Sequence, residues 1–230
     1  MAESQAHGFI LQDLLFTEIY GVTKDELSTI PYTAKLDLPG EFNRLEPGMA
    51  ISCKATCNAN KVDMADCLRV YDGINSDDSY RTLVAIYIQD DAKSKRITDL
   101  IEVNLQGAAD ALFGSVTRAE IVELDAAIKA VPRGRAPTTD EKTTIYAIRD
   151  NLHTKMGALQ LAPKMDSKGQ RRLQCSFNHF QQFLTTYDHR VIARGPPSAF
   201  RGHALTTDTI MSGRRVRHPQ SPVVVLPELH

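Results

Sequence analysis

Lys54 closes the run Gly48-Met49-Ala50-Ile51, whose composition reads as a buried strand. The end of such a strand is a costly place for an ammonium group. A lysine there needs a carboxylate or a bound anion close by. Residues 32–38 read as a second strand that ends in Asp37-Leu38-Pro39, and the two runs are joined through Pro39-Gly40 and Glu46-Pro47-Gly48 turns. Asp37, at the matching end of the neighbouring strand, is therefore the natural partner of Lys54. A phosphodiester would serve as the anion equally well, so the pair raises the question of metal-dependent phosphate chemistry. The plain alternative is a cross-strand salt bridge with no further role.

The rest of the chain places this pair in a layered fold. Residues 8–20 carry apolar positions at helical spacing up to Gly21, with Glu18 near the helix end. Asp63 to Tyr71 reads as a short helix, and residues 82–88, Thr-Leu-Val-Ala-Ile-Tyr-Ile, as a buried strand; residues 96–103 are a further candidate strand. The middle is helical: residues 105–113, then a helix opened by the capping box Thr117-Arg118-Ala119-Glu120 and running to Ala130, then one from Thr139 to Lys155. Residues 157–163 and 171–177 read as extended segments and 178–187 as a helix, with loops and a docking tail around Val223-Val224-Val225 after that. This order predicts an α/β fold with a mixed central β-sheet flanked by helices. No repeat or linker divides it. The expectation is one domain over 1–230, with a core at 1–104, a helical part at 105–163 and a basic part at 164–230.

Charge is unevenly spread. The chain has 230 residues and a net charge of −1, yet residues 164–217 hold ten Lys or Arg against three acids. That segment is net +7 on a body of −8, the pattern of a nucleic-acid footprint or of a solvated basic surface. No apolar run approaches the ~20 residues of a membrane span. The N-terminus lacks the basic start and apolar core of a signal peptide. Cys53, Cys57, Cys67 and Cys175 are too few and too uneven for a disulfide framework, so reduced thiols in the cytoplasm are expected. Zinc at Cys53, Cys57 and Cys67 lacks a compact fourth ligand, and no Gly-rich phosphate loop or Gly-x-Ser-x-Gly elbow is present.

The order of a helix with Glu18, a strand with Asp37, a strand ending Ser52-Cys53-Lys54 and a helix with Asp66 resembles the PD-(D/E)XK nuclease superfamily, which includes many type II restriction endonucleases. Ser52 stands where that pattern usually has an acid. A subgroup of restriction enzymes is similar in this respect, with Ser-x-Lys and an acid relocated to the following helix. Asp66, twelve residues beyond Lys54, fits that spacing better than Asp63, which is also the N-cap candidate of its helix. The resemblance implies a restriction-endonuclease-like core and Mg²⁺ (Mn²⁺ substituting) on Asp37, Asp66 and the backbone carbonyl of Cys53. It places Glu18 at a second metal or a metal-bound water, and Lys54 beside the attacking water. Mg²⁺ prefers oxygen ligands and keeps several waters, which suits these residue types.

Lys168, Arg171, Arg172 and Gln174 are the candidate DNA contacts, since Arg and Gln can read base edges and Lys suits phosphates. Asn178 and His179 could extend that surface, although a helix start explains them equally well. The expectation is a type II restriction-like endonuclease on double-stranded DNA. It would act as a homodimer matching a palindromic target, with a possible cognate DNA methyltransferase. The alternatives are a non-catalytic DNA-binding protein on a degenerate nuclease fold, and a protein-interaction domain whose Asp37–Lys54 pair is structural.

Overall fold

Three Thr-x-x-Glu boxes set helix starts in this chain. Thr23/Glu26, Thr117/Glu120 and Thr138/Glu141 each exchange reciprocal side chain to backbone hydrogen bonds, which satisfy donors that a helix end otherwise leaves open. The computed structural model describes residues 3–30, 36–76, 79–91 and 94–211. Its helices are α1 (Glu3–Glu18), α2 (Lys24–Thr29), α3 (Cys67–Ile74), α4 (Ala109–Phe113), α5 (Arg118–Ala130), α6 (Thr139–His153) and α7 (Phe180–Thr186). Its strands are β1 (Ile51–Thr56), β2 (Val62–Asp66), β3 (Arg81–Gln89), β4 (Ser94–Asn104), β5 (Leu159–Met165), β6 (Arg171–Phe177), β7 (Val191–Gly195) and β8 (Thr209–Met211). The docking tail at 223–225, Arg214, Arg215, Arg217 and residues 32–35 of the first expected strand lie outside the described residues.

The fold is mixed α/β, with two sheets rather than the single sheet expected. The larger is mixed, in the order β1-β3-β4-β7, with β8 also pairing β4. β1 and β3 run parallel and are connected through β2 and α3, while β3, β4 and β7 are antiparallel. The smaller sheet, β2-β6-β5, is antiparallel throughout. Residues 63–66, expected as the start of a helix, belong to its first strand, Val62–Asp66. Val62 and Met64 point into the core while Asp63 is exposed, and a bulge at Ala65 (φ 74°) breaks the register before α3 begins.

The larger sheet is buried on both faces, which is why β3 is apolar at nearly every position. Leu83 and Ala85 pack with Leu15 and Phe16 of α1, with Ile19 just beyond it, and with Phe200. Val84 and Ile86 face a second core made by α3, α5, α6, α7 and the inner face of the smaller sheet. The expected boundary at 163/164 falls inside β5, and β6 and β7 pair with strands from the N-terminal half. The basic C-terminal part is thus woven into the fold. Among the described residues no helix is long and apolar enough to cross a membrane.

Candidate active site at the edge of the mixed sheet

β1 alternates. Ile51 and Cys53 pack toward α1, so Ser52 and Lys54 face the opposite side of the sheet. The backbone of β1 alternates too. Ala50 offers its carbonyl to Arg81 on β3, whereas Ile51 exchanges two 2.9 Å hydrogen bonds with Leu38 on the outer edge. Cys53 has the parity of Ile51, so its N–H and its carbonyl both point to that outer edge.

Asp37, one residue before Leu38, meets β1 there. Its Oδ2 accepts from the Cys53 N–H at 2.7 Å and from the Ser52 hydroxyl at 3.1 Å, and lies 3.6 Å from the Lys54 ammonium. Every one of these contacts falls on Oδ2. Oδ1 makes no hydrogen bond or ion pair with any described residue. Asp37 and Lys54 side chains are 29% and 17% exposed, so the pair is accessible to a ligand yet shielded enough for its charge to matter.

The loop between Asp37 and β1 is held tightly. Gly40 abuts Gly48 so closely that a Cβ would lie 2.5 Å from the Gly48 carbonyl carbon, and the Gly48 N–H donates to the Gly40 carbonyl at 3.0 Å. Buried Asn43 donates to the Met49 carbonyl at 2.7 Å and accepts from the Glu46 N–H at 2.9 Å. These bonds fix the distance between the acid and the lysine.

Tyr80 is a site neighbour that the sequence reading missed. It directly precedes β3, is almost fully buried, and its ring packs where a side chain on Gly73 of α3 would sit. Burial pushes its phenol above the usual value; the Cys175 thiol and Asp37 add to the rise, while Arg69 and Ser52 oppose it. Tyr80 and Arg69 therefore belong to the electrostatic surroundings of Asp37 and Ser52. Burial, reinforced by Asp37, raises the Cys53 thiol to about 12, so Cys53 offers the site its carbonyl and not a thiolate.

The other expected site residues are placed differently. Asp66 is on the strand side of the β2–α3 junction. As the N-cap of α3 it accepts the Arg69 N–H on Oδ1 at 2.9 Å. The capping role expected of Asp63 belongs to Asp66, and Asp63 is exposed on β2. Glu18 ends α1 and holds Thr206, accepting from its N–H at 2.6 Å and from its hydroxyl. No hydrogen bond or ion pair joins Glu18 or Asp66 to Asp37, Ser52 or Lys54. Among the described residues no three His, Cys, Asp or Glu side chains converge as a ready-made metal cage. Magnesium commonly needs only one or two carboxylates and keeps its waters. The Asp37 Oδ1 and the Cys53 carbonyl, together on one edge, fit such a demand.

Among the candidate DNA contacts, Arg171 requires correction. It is buried, and its guanidinium donates to the carbonyls of Val131, Pro132, Arg135, Asp166 and Gln170 at 2.6–3.0 Å. All five of its N–H donors are engaged within the fold. Arg172 and Gln174 lie on the outer face of the smaller sheet, and Lys168 sits in the β5–β6 turn. His179 lines a separate cavity of about 330 Å³ with Asp110, Gln160, Phe183 and Tyr187, to which Asp37, Ser52 and Lys54 do not contribute. The four cysteines among the described residues are free, with only Cys57 exposed.

A larger ionic cluster, also missed, lies on the α1 side of the same sheet. Glu102 of β4 is fully buried; Arg81 donates to it at 3.0 Å, Arg201 at 2.7 Å and the Tyr20 hydroxyl at 3.2 Å. Glu46, from the loop that sets the Asp37–Lys54 distance, joins Arg201 at 2.9 Å and also meets Arg81. Burial raises the Glu46 carboxyl, but hydrogen bonds and charge from Arg201 and Arg81 outweigh it and hold it below the usual value. The only earlier signal was an acid and an arginine inside apolar strands.

No family model matches this chain, and no curated protein or solved structure matches it.

Proposed function

We propose that this chain is a magnesium-dependent endonuclease of double-stranded DNA, similar to type II restriction enzymes, with its site on Asp37, Ser52, Cys53 and Lys54. The observation that carries the reading is the Asp37 carboxylate, fixed on the Cys53 N–H and the Ser52 hydroxyl with the Lys54 ammonium 3.6 Å away. The surrounding topology supports a restriction-endonuclease-like core. An acid-bearing arm pairs antiparallel with the Ser-x-Lys strand, and α3 lies on the connection to the parallel β3.

Asp37 through Oδ1 and Cys53 through its carbonyl would hold the ion. Asp66 keeps Oδ2 outside its capping bond for a further contact. Bound magnesium neutralises phosphate charge and lowers the pKa of a coordinated water. Lys54, positioned by Asp37, orients the attacking water and stabilises the negative charge that develops. Ser52 fixes the carboxylate rotamer. Cutting both strands requires two such sites, which a homodimer supplies. The free cysteines suit a cytoplasmic setting, where a cognate methyltransferase would protect host DNA.

The test is incubation with unmethylated phage DNA and Mg²⁺. Discrete fragments are expected, and intact DNA overturns the reading. A second reading is a non-catalytic DNA-binding protein on the same fold. It is favoured by the engagement of Glu18 and Asp66 with Thr206 and Arg69. Salt-dependent DNA binding with no cutting in Mg²⁺ or Mn²⁺ selects it.

A further inference from the structure

The hairpin of β5 and β6 carries two cations directly opposite each other. In its register Lys164 pairs with Arg172, Ala162 with Gln174, and Gln160 with Ser176. The alternate residues Leu161, Leu173 and Cys175 face the core, so Lys164 and Arg172 share the outer face. Like charges directly opposite on an antiparallel pair destabilise it. Neither side chain makes a hydrogen bond or ion pair with any described residue. Two acids flanking the hairpin accept from backbone amides. Asp166 accepts from the N–H groups of Lys168 and Gln170, both at 2.9 Å, and Asp66 accepts from that of Arg69. Ala162, next to the pair, has a small side chain, and Gln174 beyond it stands opposite Asp66 on β2.

We propose that Lys164 and Arg172 together bind one phosphate group of a nucleic-acid backbone, with Lys168 from the turn nearby. The bound phosphate removes the repulsion that the free protein carries. The guanidinium offers a planar fork and the ammonium a point charge, a combination suited to a tetrahedral dianion or a phosphodiester. The source of the phosphate rests on the proposed endonuclease reading; the site itself rests on the paired cations. It adds Lys164 to the DNA-facing residues and takes the place of the buried Arg171.

The test compares the parent with Lys164→Gln and Arg172→Gln in phosphate-free buffer, with inorganic phosphate, and with a short DNA duplex. Without anion, each variant is expected to melt about 1–3 °C above the parent, because half of a repulsive pair is gone. Phosphate or the duplex should raise the melting temperature of the parent and leave the variants nearly unchanged. In DNA titrations over a range of salt, each variant should lower the slope of log affinity against log salt by about one. Variants that melt with the parent and keep its salt slope overturn the site. A response to inorganic phosphate with an unchanged DNA slope overturns the nucleic-acid source. Cleavage by the parent, read separately, isolates the endonuclease reading. Cutting with unchanged slopes in the variants sinks the phosphate site alone, whereas lowered slopes without cutting sink the endonuclease reading alone.

Discussion

The two faces of the mixed sheet each hold an ionic cluster, and the clusters differ in extent. On the α1 face, Glu102 and Glu46 meet Arg81 and Arg201, two acids to two guanidinium groups, with the Tyr20 hydroxyl as an added donor. That cluster is balanced in charge and centred on the fully buried Glu102, and its bonds tie the turn at 200–203 to the sheet. Arg201 adopts a left-handed φ of 51° there, which a non-glycine residue holds only when its surroundings enforce it. On the other face, one acid and one lysine lie at a strand edge, with Oδ1 of Asp37 outside the network. A charge-balanced cluster that joins distant segments of the chain holds structure together. A partly exposed pair whose Asp37 Oδ1 bonds no described residue can take a ligand without giving up a bond seen among those residues.

That contrast can be broken first at the buried face. Glu102→Gln leaves buried Arg81 and half-buried Arg201 undercompensated and should cost about 3–5 kcal/mol in chemical denaturation. Arg171→Met leaves several buried carbonyls unpaired and should cost about 2–4 kcal/mol, without the change in DNA salt slope expected of a phosphate contact. Gly40→Ala forces the Gly48 backbone away and should cost about 1–3 kcal/mol, with a larger proportional loss of activity because it shifts Asp37 relative to Lys54. Asp37→Asn and Lys54→Met should change stability by no more than about 1 kcal/mol, since the pair is partly exposed, while abolishing cleavage.

The smallest effect concerns pH. Hydrogen bonds from Lys155 and Arg135, with those to the caps, hold Glu120 and Glu141 at about 2, against a usual value of 4.5. Glu46 is depressed as well. Depressed carboxyls contribute stability above their unfolded values and lose it as pH falls through their folded ones. The stability that these carboxyls contribute should therefore be full above roughly pH 5 and be lost toward pH 2, read as a falling melting temperature over that range.

Part of this was legible in the sequence. An apolar run ended by a lysine, with an acid ending the preceding segment, was enough to pair Asp37 with Lys54, because local turns brought them together. The start of α3 was misplaced because Asp63-Met64-Ala65-Asp66 contains good helix-compatible residues. The alternation of Val62 and Met64 with polar neighbours was the strand signal, and the bulge at Ala65 cut it short. Arg171 and Arg172 read as one basic pair, although a strand sends neighbours to opposite faces. What occupies Arg171 comes from carbonyls near 131–135, and what neutralises Glu102 comes from residues 20, 81 and 201. Contacts so distant along the chain leave no local pattern.

On the proposed reading, Asp37 and Lys54 form a chemical site rather than a strut. The most direct measurement is Mg²⁺-dependent cleavage of duplex DNA by Asp37→Asn beside the parent, with DNA affinity and melting temperature measured on the same samples. The predicted result is no cleavage, affinity within about threefold of the parent and a melting shift of no more than about 4 °C. Cleavage at the parental rate by Asp37→Asn would contradict it.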